Sequence, residues 1–379
     1  MAISRAGLWL GAFVAVLALS LLKTLRLPIE YPSGLMALTY EQGFIRRGLF
    51  GTLVFGWGGE IRYATVAALS LGSLALLMLA FTLIAGRILR AHPALALACV
   101  LFASSLCIVY AASTTGYFDQ LLLGIAALGV FAQGLRLRLA LLLVGGTAAI
   151  LLHEAALLVT VPVLLLSLAL ALMREGRRVW PLILPLGLAA VAMAALVGLL
   201  GQLPPEAVAS LREALQARAD FPLNGLAFEI IGEDALAHAR VAVAPVNLVA
   251  HIDSLVMVAP ALVPLLALAL YATRRAGLPF ALSALVLVAG LAPVLLRFVG
   301  SDIHRWDALA IGTSFLTLAL VLGEARIAAA LPREMPRLQP LLAVALALSA
   351  ASTTFLFRDQ GIDPYPFFAT RSHLIGLLR

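Results

Sequence analysis

The sequence has very few charged residues and almost no lysine. Asp, Glu, Lys and Arg together make up 12% of the chain, whereas 63% of the residues are hydrophobic. This composition excludes an ordinary soluble globular domain. Lys23 is the only lysine, so the net charge of +7 comes almost entirely from arginine. A nucleic-acid-binding protein would carry its basic residues on one face of a soluble fold, and no such segment exists here. We therefore expect no nucleic acid among the partners.

Cysteine is scarce, and the common nucleotide-binding motifs are missing. Cys99 and Cys107 fall in one apolar run, which excludes a disulfide framework and a cysteine-based metal site. The chain has no Gly-x-Gly-x-x-Gly, P-loop, Gly-x-Ser-x-Gly or zincin motif. No loop that we predict inside the cell is long enough to fold around a nucleotide. Any donor substrate is therefore expected to be membrane-borne or to reach the outer face, and we predict no cofactor.

Long apolar runs, in contrast, recur along the whole chain. Runs of about twenty apolar residues are typical of membrane-spanning helices. We predict a single all-α transmembrane domain, residues 1–379, with about eleven spans and a range of ten to twelve. The apolar run at 6–22 lacks a small-x-small cleavage site, so it is interpreted as an uncleaved first span. The predicted spans are residues 7–25, 63–86, 94–112, 118–135, 137–152, 155–173, 180–201, 250–272, 278–298, 307–323 and 338–356.

The arginines predict the orientation of these spans. Placing Arg5 inside puts the short arginine-rich loops inside as well, and short basic loops set orientation. The sequence therefore predicts a multi-pass protein of the bacterial inner membrane, with its N-terminus inside and its C-terminus outside. The segment 137–173 is too long for one span, so we predict a hairpin that turns near His153 and Glu154.

With this orientation, the polar chemistry concentrates in the outer loops. The two longest are the first outer loop, residues 26–62, and a later loop, residues 202–249. Within the later loop, the pattern of Pro205–Ala219 predicts an amphipathic helix lying on the outer surface of the membrane.

The first outer loop carries the most concentrated candidate site. Arg46 and Arg47 could bind a phosphate or diphosphate, because the planar guanidinium matches a phosphate in shape and charge. Glu41 could act as a general base that takes a proton from an acceptor hydroxyl. The alternatives are that the two arginines bind lipid headgroups and that Glu41 forms a structural ion pair with one of them.

Ionisable residues also interrupt an apolar run at His153 and Glu154. Ionisable groups at membrane depth are functional candidates, so we predict a catalytic carboxylate or base with a histidine partner. The alternative is a helix cap, since an acidic residue is favoured in the first turn of the next helix.

A third candidate region lies around 302–307, between two predicted spans. Its arginine, together with one slightly earlier in the chain, could hold a second phosphate that the aspartates orient, with Asp302 also a catalytic candidate. The alternative is an ordinary polar turn that caps a helix, and capping competes for Asp119 as well. His, Asp and Glu side chains of these loops could also assemble a divalent-metal site, although no spacing is diagnostic. The candidates here are Arg297, Asp302, His304, Arg305 and Asp307, with Asp119 as a supporting residue.

The pattern of a polar loop with an acidic residue directly after the first span, charged outer loops, about eleven helices and no cytosolic domain resembles the GT-C glycosyltransferases. It also resembles the EpsG-like and Wzy-like polymerases of bacterial surface polysaccharides, and 152–157 is similar to a His-x-Ser-Ala-Leu-type stretch of the EpsG-like group. The resemblance implies sugar transfer at the outer face from a polyprenyl-phosphate or polyprenyl-diphosphate donor. It also implies a general base in the first outer loop, where this sequence has Glu41.

The expected partners are therefore a lipid-linked sugar donor, membrane lipids, and a glycan, lipid or protein acceptor. Two other functions fit the same residues. A transporter or flippase of a lipid-linked glycan would use the arginines without breaking bonds. A non-catalytic membrane protein would show charged clusters that do not converge in space.

Overall fold

The computed structural model describes residues 4–232, 248–300, 302–332, 334–352, 355–358 and 361–364. This part of the chain is helical apart from a two-stranded antiparallel hairpin, in which Phe355–Arg358 pairs with Gly361–Pro364. Within it, nine helices are long and apolar enough to cross a membrane, and two shorter apolar helices accompany them. The chain is a polytopic α-helical protein, as the sequence predicts. In chain order these segments are Arg5–Thr24, Tyr63–Ala91, Pro93–Ser113, Asp119–Phe131, Leu135–Leu152, Ala156–Arg174, Trp180–Leu200, His251–Arg275, Phe280–Phe298, Ile303–Leu322 and Leu338–Ala350.

Several of these segments depart from a continuous α-helix. The third is interrupted between Ala96–Ala103 and Leu106–Ser113, the fifth contains a π-helical stretch at Leu141–Gly146, and the ninth ends in a 3₁₀ stretch at Ala292–Phe298. Such irregularities often occur at functional sites or hinges. Shorter helices in the connections are Glu30–Ala37, Leu49–Phe55, Pro205–Gln216, Gly225–Gly232 and Ala325–Ala330.

Each of the eleven apolar segments overlaps one predicted span. The clearest difference is in the tenth segment, which begins at Ile303 and not at 307. Its first turn is polar, so hydropathy alone assigns that turn to a loop. The structure instead buries Arg305 and Asp307 in the helix, where each meets an oppositely charged side chain. A pairing of this kind lets charged residues occupy a buried helical turn.

The predicted hairpin between the fifth and sixth segments is confirmed. The helix ends at Leu152, and His153 has extended backbone with φ −165° and ψ 129°. The two segments run antiparallel, because the Arg138 guanidinium near the start of one donates to the Ser167 carbonyl near the end of the other. A single long span over this region is therefore excluded.

The burial of the segments distinguishes a centre from a periphery. The tenth segment is 100% buried over its apolar window, the third 89% and the sixth 83%, whereas the first is only 11% buried. Aromatic packing ties the centre together, since the rings of Phe102 and Phe315 stack with centroids 3.9 Å apart. The peripheral segments expose the apolar side chains that a lipid bilayer would cover.

The segments alternate in direction, so their connections collect at two ends. We call one the loop end, where residues 25–62, 114–118, 153–155 and 201–232 meet. We call the other the arginine end, where the segments are joined by short connections at 91–93, 132–134, 175–179 and 323–337.

At the loop end, the two long loops fold together into a cap. A parallel backbone bridge joins Ile61 to Ala219, and Leu211 and Leu215 of the helix Pro205–Gln216 are buried against residues of the first loop. The sequence placed the apolar face of this helix on the membrane surface, but the structure packs it on protein, because the first loop supplies an apolar surface of its own. Residues 233–247 of the second loop and most of the predicted outer C-terminal tail lie outside the described residues.

Candidate functional site at the loop end

The first element of the site is an ion pair between Arg47 and Glu154. The Arg47 Nε atom donates to Glu154 Oε2 at 3.2 Å, and its Nη2 atom donates to Oε1. Arg47 is 8% exposed and has a left-handed backbone with φ 64°, which costs about 1–3 kcal/mol in a residue other than glycine. The helix that follows, Leu49–Phe55, packs closely on Leu38, because a Cβ atom at Gly51 would lie 2.2 Å from the Leu38 carbonyl oxygen. The fold therefore holds the Arg47 guanidinium in one position.

The second element is an ion pair between Arg305 and Asp119. The Arg305 Nε and Nη2 atoms donate to the two Asp119 carboxylate oxygens at 2.7 and 2.8 Å, and both side chains are almost fully buried. The rings of Tyr117 and Trp306 each lie 4.6 Å from the Arg305 guanidinium. Cation–π contacts of this kind stabilise a buried guanidinium further. Asp119 is the first residue of its helix, but its carboxylate binds Arg305. The preceding residue makes no side-chain hydrogen bond that caps the helix.

Tyr31 joins the two ion pairs into one cluster. Burial raises the pKa of the Tyr31 phenol, while the charges of Arg47 and Arg305 both act to lower it. The Tyr31 ring also lies 5.8 Å from the ring of Tyr117. Because the Tyr117 ring also packs on Arg305, Tyr31 lies close to both ion pairs. We call Tyr31, Arg47, Glu154, Asp119 and Arg305, together with the adjacent His153 and Asp302, the loop-end cluster.

Asp302 is the most accessible carboxylate of this cluster. Its Oδ2 atom lies 3.5 Å from the Arg305 Nη1 atom, and its side chain is 52% exposed. In both ion pairs the arginine uses its Nε and Nη2 atoms, and at Arg305 the Nη1 atom is the one that faces Asp302. Two fixed cations with a nearby accessible carboxylate are the groups needed to bind a phosphate and to accept a proton beside it.

His153 contributes a neutral imidazole. Its Nδ1 atom accepts a hydrogen bond from the Ala155 backbone N–H at 3.1 Å, so the ring proton is assigned to Nε2. Burial lowers the pKa of His153 well below its usual value, and the Arg47 charge acts in the same direction. Nε2 is buried without a hydrogen-bond partner among the described residues. It is therefore an N–H donor and not a base.

Glu154 is also a poor base in this arrangement. Burial raises the pKa of its carboxyl group, but the Arg47 charge overcomes this effect and holds the pKa well below its usual range. A carboxylate with so low a pKa takes up a proton weakly at neutral pH. The geometry instead gives Glu154 the role of holding Arg47.

The state of His153 predicts how stability depends on pH. The folded protein resists protonation of this imidazole. The contribution of His153 to the free energy of unfolding is therefore complete above its unfolded pKa of about 6.5, and it is lost as the pH falls towards its pKa in the folded protein. We expect the free energy of unfolding in detergent to decrease on acidification from about pH 7.5 to about pH 5.5, by up to about 1.4 kcal/mol per unit from this residue. His153→Gln should flatten that slope. Equal slopes for the two proteins would show that His153 binds its proton equally readily in the folded and unfolded states, and would contradict a buried neutral imidazole.

Glu41 and Arg46 lie in the same loop but contact other partners. Glu41 accepts from Arg218 Nη1 and Nη2 at 3.0 and 2.8 Å, and from the Gly58 backbone N–H at 2.7 Å. The sequence predicted that Glu41 could form an ion pair with Arg46 or Arg47. In the structure its partner is Arg218 of the second loop. Arg46 donates to the Ile230 carbonyl, also in the second loop. Both residues therefore join the two loops of the cap.

The ion pair between Glu41 and Arg218 predicts that Glu41 stabilises the packing of the two loops of the cap. We expect Glu41→Gln and Arg218→Gln to lower stability by similar amounts, about 1–3 kcal/mol, because each leaves a partly buried charged partner unpaired. The exchanged pair, Glu41→Arg with Arg218→Glu, should recover part of the loss. Limited proteolysis of the two loops and thermal unfolding measure these effects. If Glu41→Gln abolishes activity without loosening the cap, Glu41 is catalytic as the sequence predicted.

The remaining candidates lie on another side of the tenth segment. Arg305 and Asp307 are two residues apart, so they point about 200° apart around the helix. Asp307 accepts from Ser254 at 2.5 Å and lies 3.4 Å from Arg297, and all three are buried. Arg297 therefore pairs with Asp307 while Arg305 pairs with Asp119, on different sides of the tenth segment, and the second phosphate site that the sequence predicts for these two arginines stays a prediction. His304 is partly buried in the first turn of the segment.

Sequence reasoning identified the charges of the loop-end cluster but missed its tyrosines and the partners of Glu41 and Arg46. Tyr31 lies beside a proline in a loop, where a tyrosine has no distinguishing pattern. Arg218 follows the amphipathic helix, where an arginine is unremarkable. The one local signal was Tyr117, which lies in a polar stretch directly before Asp119.

Among the described residues, no group of three His, Cys, Asp or Glu side chains is placed to hold a metal ion. The candidate chemistry of the described residues is therefore that of guanidiniums, carboxylates, an imidazole and phenols. The chain matches no protein-family model, no curated protein and no solved structure.

Proposed function

We propose that the protein is a bacterial inner-membrane glycosyltransferase that acts at the outer face on a polyprenyl-phosphate-linked or polyprenyl-diphosphate-linked sugar. The observation that carries the proposal is that Arg47 and Arg305, each held by its own carboxylate, lie around the Tyr31–Tyr117 ring pair, with the accessible Asp302 beside Arg305. Charged groups that converge within a largely apolar bundle are functional candidates.

The reaction follows from the charges of the cluster. An acceptor hydroxyl attacks the anomeric carbon of the sugar, and the bond between that carbon and the phosphate oxygen breaks. The departing phosphate gains negative charge, which Arg47 and Arg305 stabilise through fixed hydrogen-bond donors. The hydroxyl proton passes to Asp302 as general base, while His153 donates from Nε2 to a substrate oxygen. Glu154 and Asp119 are positioning residues, because they contact the arginines and not the substrate.

A donor of this kind needs no nucleotide site, which agrees with the absence of nucleotide-binding motifs. The acceptor would be a glycan, lipid or protein presented at the same face, and the pathway would be the assembly of a surface polysaccharide or glycoconjugate. Membrane lipids surround the exposed apolar faces of the outer helices.

The proposal is tested by Asp302→Asn in vesicles supplied with radiolabelled polyprenyl-phosphate sugars and candidate acceptors. Loss of a general base lowers rates about 10²–10⁴-fold. We expect a loss in this range, with binding of polyprenyl phosphate changed less than about twofold, because Asp302 does not contact the phosphate in this mechanism. Glu213→Gln is the matched control, since Glu213 is an exposed carboxylate in the cap. Full activity of Asp302→Asn would remove Asp302 as the base.

The orientation is tested by labelling single cysteines in intact cells with a membrane-impermeant maleimide. Glu60 lies exposed at the loop end and Arg178 lies exposed at the arginine end, while Cys99 and Cys107 are buried and should react little. We expect Glu60→Cys to be labelled directly and Arg178→Cys only after permeabilisation, because arginine-rich short loops stay inside. The reverse pattern would place the loop-end cluster in the cytoplasm and overturn the outer-face proposal.

The second candidate function is a transporter of a lipid-linked glycan. The interrupted third segment and the π-helical stretch at Leu141–Gly146 favour it, because discontinuous helices are common where transporters bind their substrates. Vesicles containing a fluorescent polyprenyl-linked sugar distinguish the two functions. Movement of the lipid between leaflets without sugar transfer would identify a transporter.

A further inference from the structure

A basic cavity lies at the opposite end of the molecule from the loop-end cluster. It has a volume of about 430 Å³ and opens beside the second, fourth and tenth segments. Pockets of roughly 300–1,000 Å³ are the usual size for small ligands. Its polar lining residues are Arg87, Gln133, Arg138 and Arg174, and its apolar lining includes Ile84, Ile88, Val130, Leu320 and Leu322.

Arg138 is the innermost charge of this cavity and is 8% exposed. Its Nε atom donates to the Ala132 carbonyl at 3.0 Å and its Nη1 atom donates to the Ser167 carbonyl at 2.6 Å. These two contacts hold the guanidinium in place. They use only some of its hydrogen-bond donors, since a guanidinium has five N–H groups.

The charge of the cavity is not balanced by its neighbours. Glu324 lies 3.6 Å from Arg138 and 3.7 Å from Arg174, so one buried carboxylate serves two guanidiniums. Arg87 packs over the Phe131 ring at 4.5 Å from its centroid. Three arginines therefore surround the cavity with a single carboxylate between them, which leaves an excess of positive charge.

We propose that this cavity binds the phosphate of an anionic phospholipid headgroup. The guanidiniums match a phosphate in charge and in hydrogen-bonding geometry, and the apolar wall suits the glycerol and first methylene groups of the same lipid. Basic pockets between membrane helices recognise anionic headgroups in this way. The site is independent of the loop-end cluster and of the proposed sugar transfer, because it shares no residue with either.

The test is native mass spectrometry of the purified full-length protein with added phosphatidylglycerol or phosphatidylcholine. We expect wild type to retain phosphatidylglycerol preferentially. The double variant Arg87→Gln with Arg174→Gln should lose roughly 30-fold of that preference, because each arginine near a lipid phosphate contributes about a factor of five. Both residues are exposed, so their replacement should leave the fold intact.

Arg136→Gln is the matched control, since Arg136 is an exposed arginine on the same segment as Arg138 but does not line the cavity. An equal loss in Arg136→Gln and the double variant would show general surface attraction and would overturn the proposal. Equal retention of the two lipids by wild type would overturn it as well. Displacement of the lipid by millimolar inorganic phosphate would identify a free anion as the occupant and reject the lipid assignment.

Discussion

Replacing Arg47 or Arg305 with lysine is expected to lower the rate of sugar transfer about a hundredfold, which corresponds to about 3 kcal/mol of transition-state stabilisation. Lysine keeps the positive charge but loses the planar group. In the wild type, the Nε and Nη2 atoms of each guanidinium contact a carboxylate, and the Arg305 Nη1 atom also lies 3.5 Å from Asp302. In the proposed mechanism the remaining N–H groups donate to the phosphate. A lysine ammonium cannot fill both roles in the same geometry. Lysine should therefore rescue little of the loss caused by alanine at either position.

This prediction is measured by steady-state transfer from a polyprenyl-linked sugar, with folding checked for each variant. Arg62→Lys is the matched control, because Arg62 is an exposed arginine at the same end whose ion pair is with the exposed Glu60. Arg46→Lys should affect the stability of the cap more than turnover, since the Arg46 guanidinium donates to a backbone carbonyl of the second loop. Full activity of Arg47→Lys and Arg305→Lys would mean that these arginines have a structural or lipid-binding role.

Asp119→Ala is expected to have the largest effect on stability, with a loss of about 3–5 kcal/mol. Asp119 and Arg305 are 4% and 5% exposed, so removal of the carboxylate takes the two-point partner from a buried guanidinium and leaves it the half-exposed Asp302, 3.5 Å from its Nη1 atom. The pair itself stabilises the fold much less than this figure suggests, because burying two ions is costly. We therefore expect the double variant Asp119→Leu with Arg305→Met to recover most of the stability while remaining inactive.

A denaturant titration of each variant in detergent measures these differences in the free energy of unfolding. The exposed pair of Glu60 and Arg62 is the control, and Glu60→Gln should cost less than about 1 kcal/mol. If Asp119→Ala unfolds no more readily than Glu60→Gln, water reaches the pair and the cluster is more open than the structure indicates. If the double variant is as unstable as Asp119→Ala, the loss comes from packing around Asp119 and not from the unpaired charge.

The sequence predicted the helical segments well because each is a local feature of length and hydropathy. The hairpin at His153 could be predicted for the same reason, since two ionisable residues interrupt a long apolar run. The start of the tenth segment was misplaced, because its charged first turn is compatible with burial only through partners elsewhere in the chain. Local hydropathy carries no information about such partners.

The pairings within the candidate site could not be predicted from the sequence. Arg305 and Asp119 are 186 residues apart, and Glu41 and Arg218 are 177 residues apart. Which carboxylate meets which guanidinium depends on how the helices and the two long loops pack. As a result, Glu41 was the leading candidate for the base in the sequence, whereas the structure leaves Asp302 as the accessible carboxylate beside the arginines.

Mass spectrometry of polyprenyl-linked and surface glycans tests the central proposal most directly. The comparison uses a deletion strain complemented with wild type or with Asp302→Asn, at matched expression. We expect the deletion strain and the Asp302→Asn strain to accumulate the same polyprenyl-linked sugar and to lack the corresponding surface glycan. Complementation with wild type should remove the accumulated sugar and return the surface glycan. Identical lipid-linked and surface glycans in all three strains would contradict the assignment of the loop-end cluster to sugar transfer.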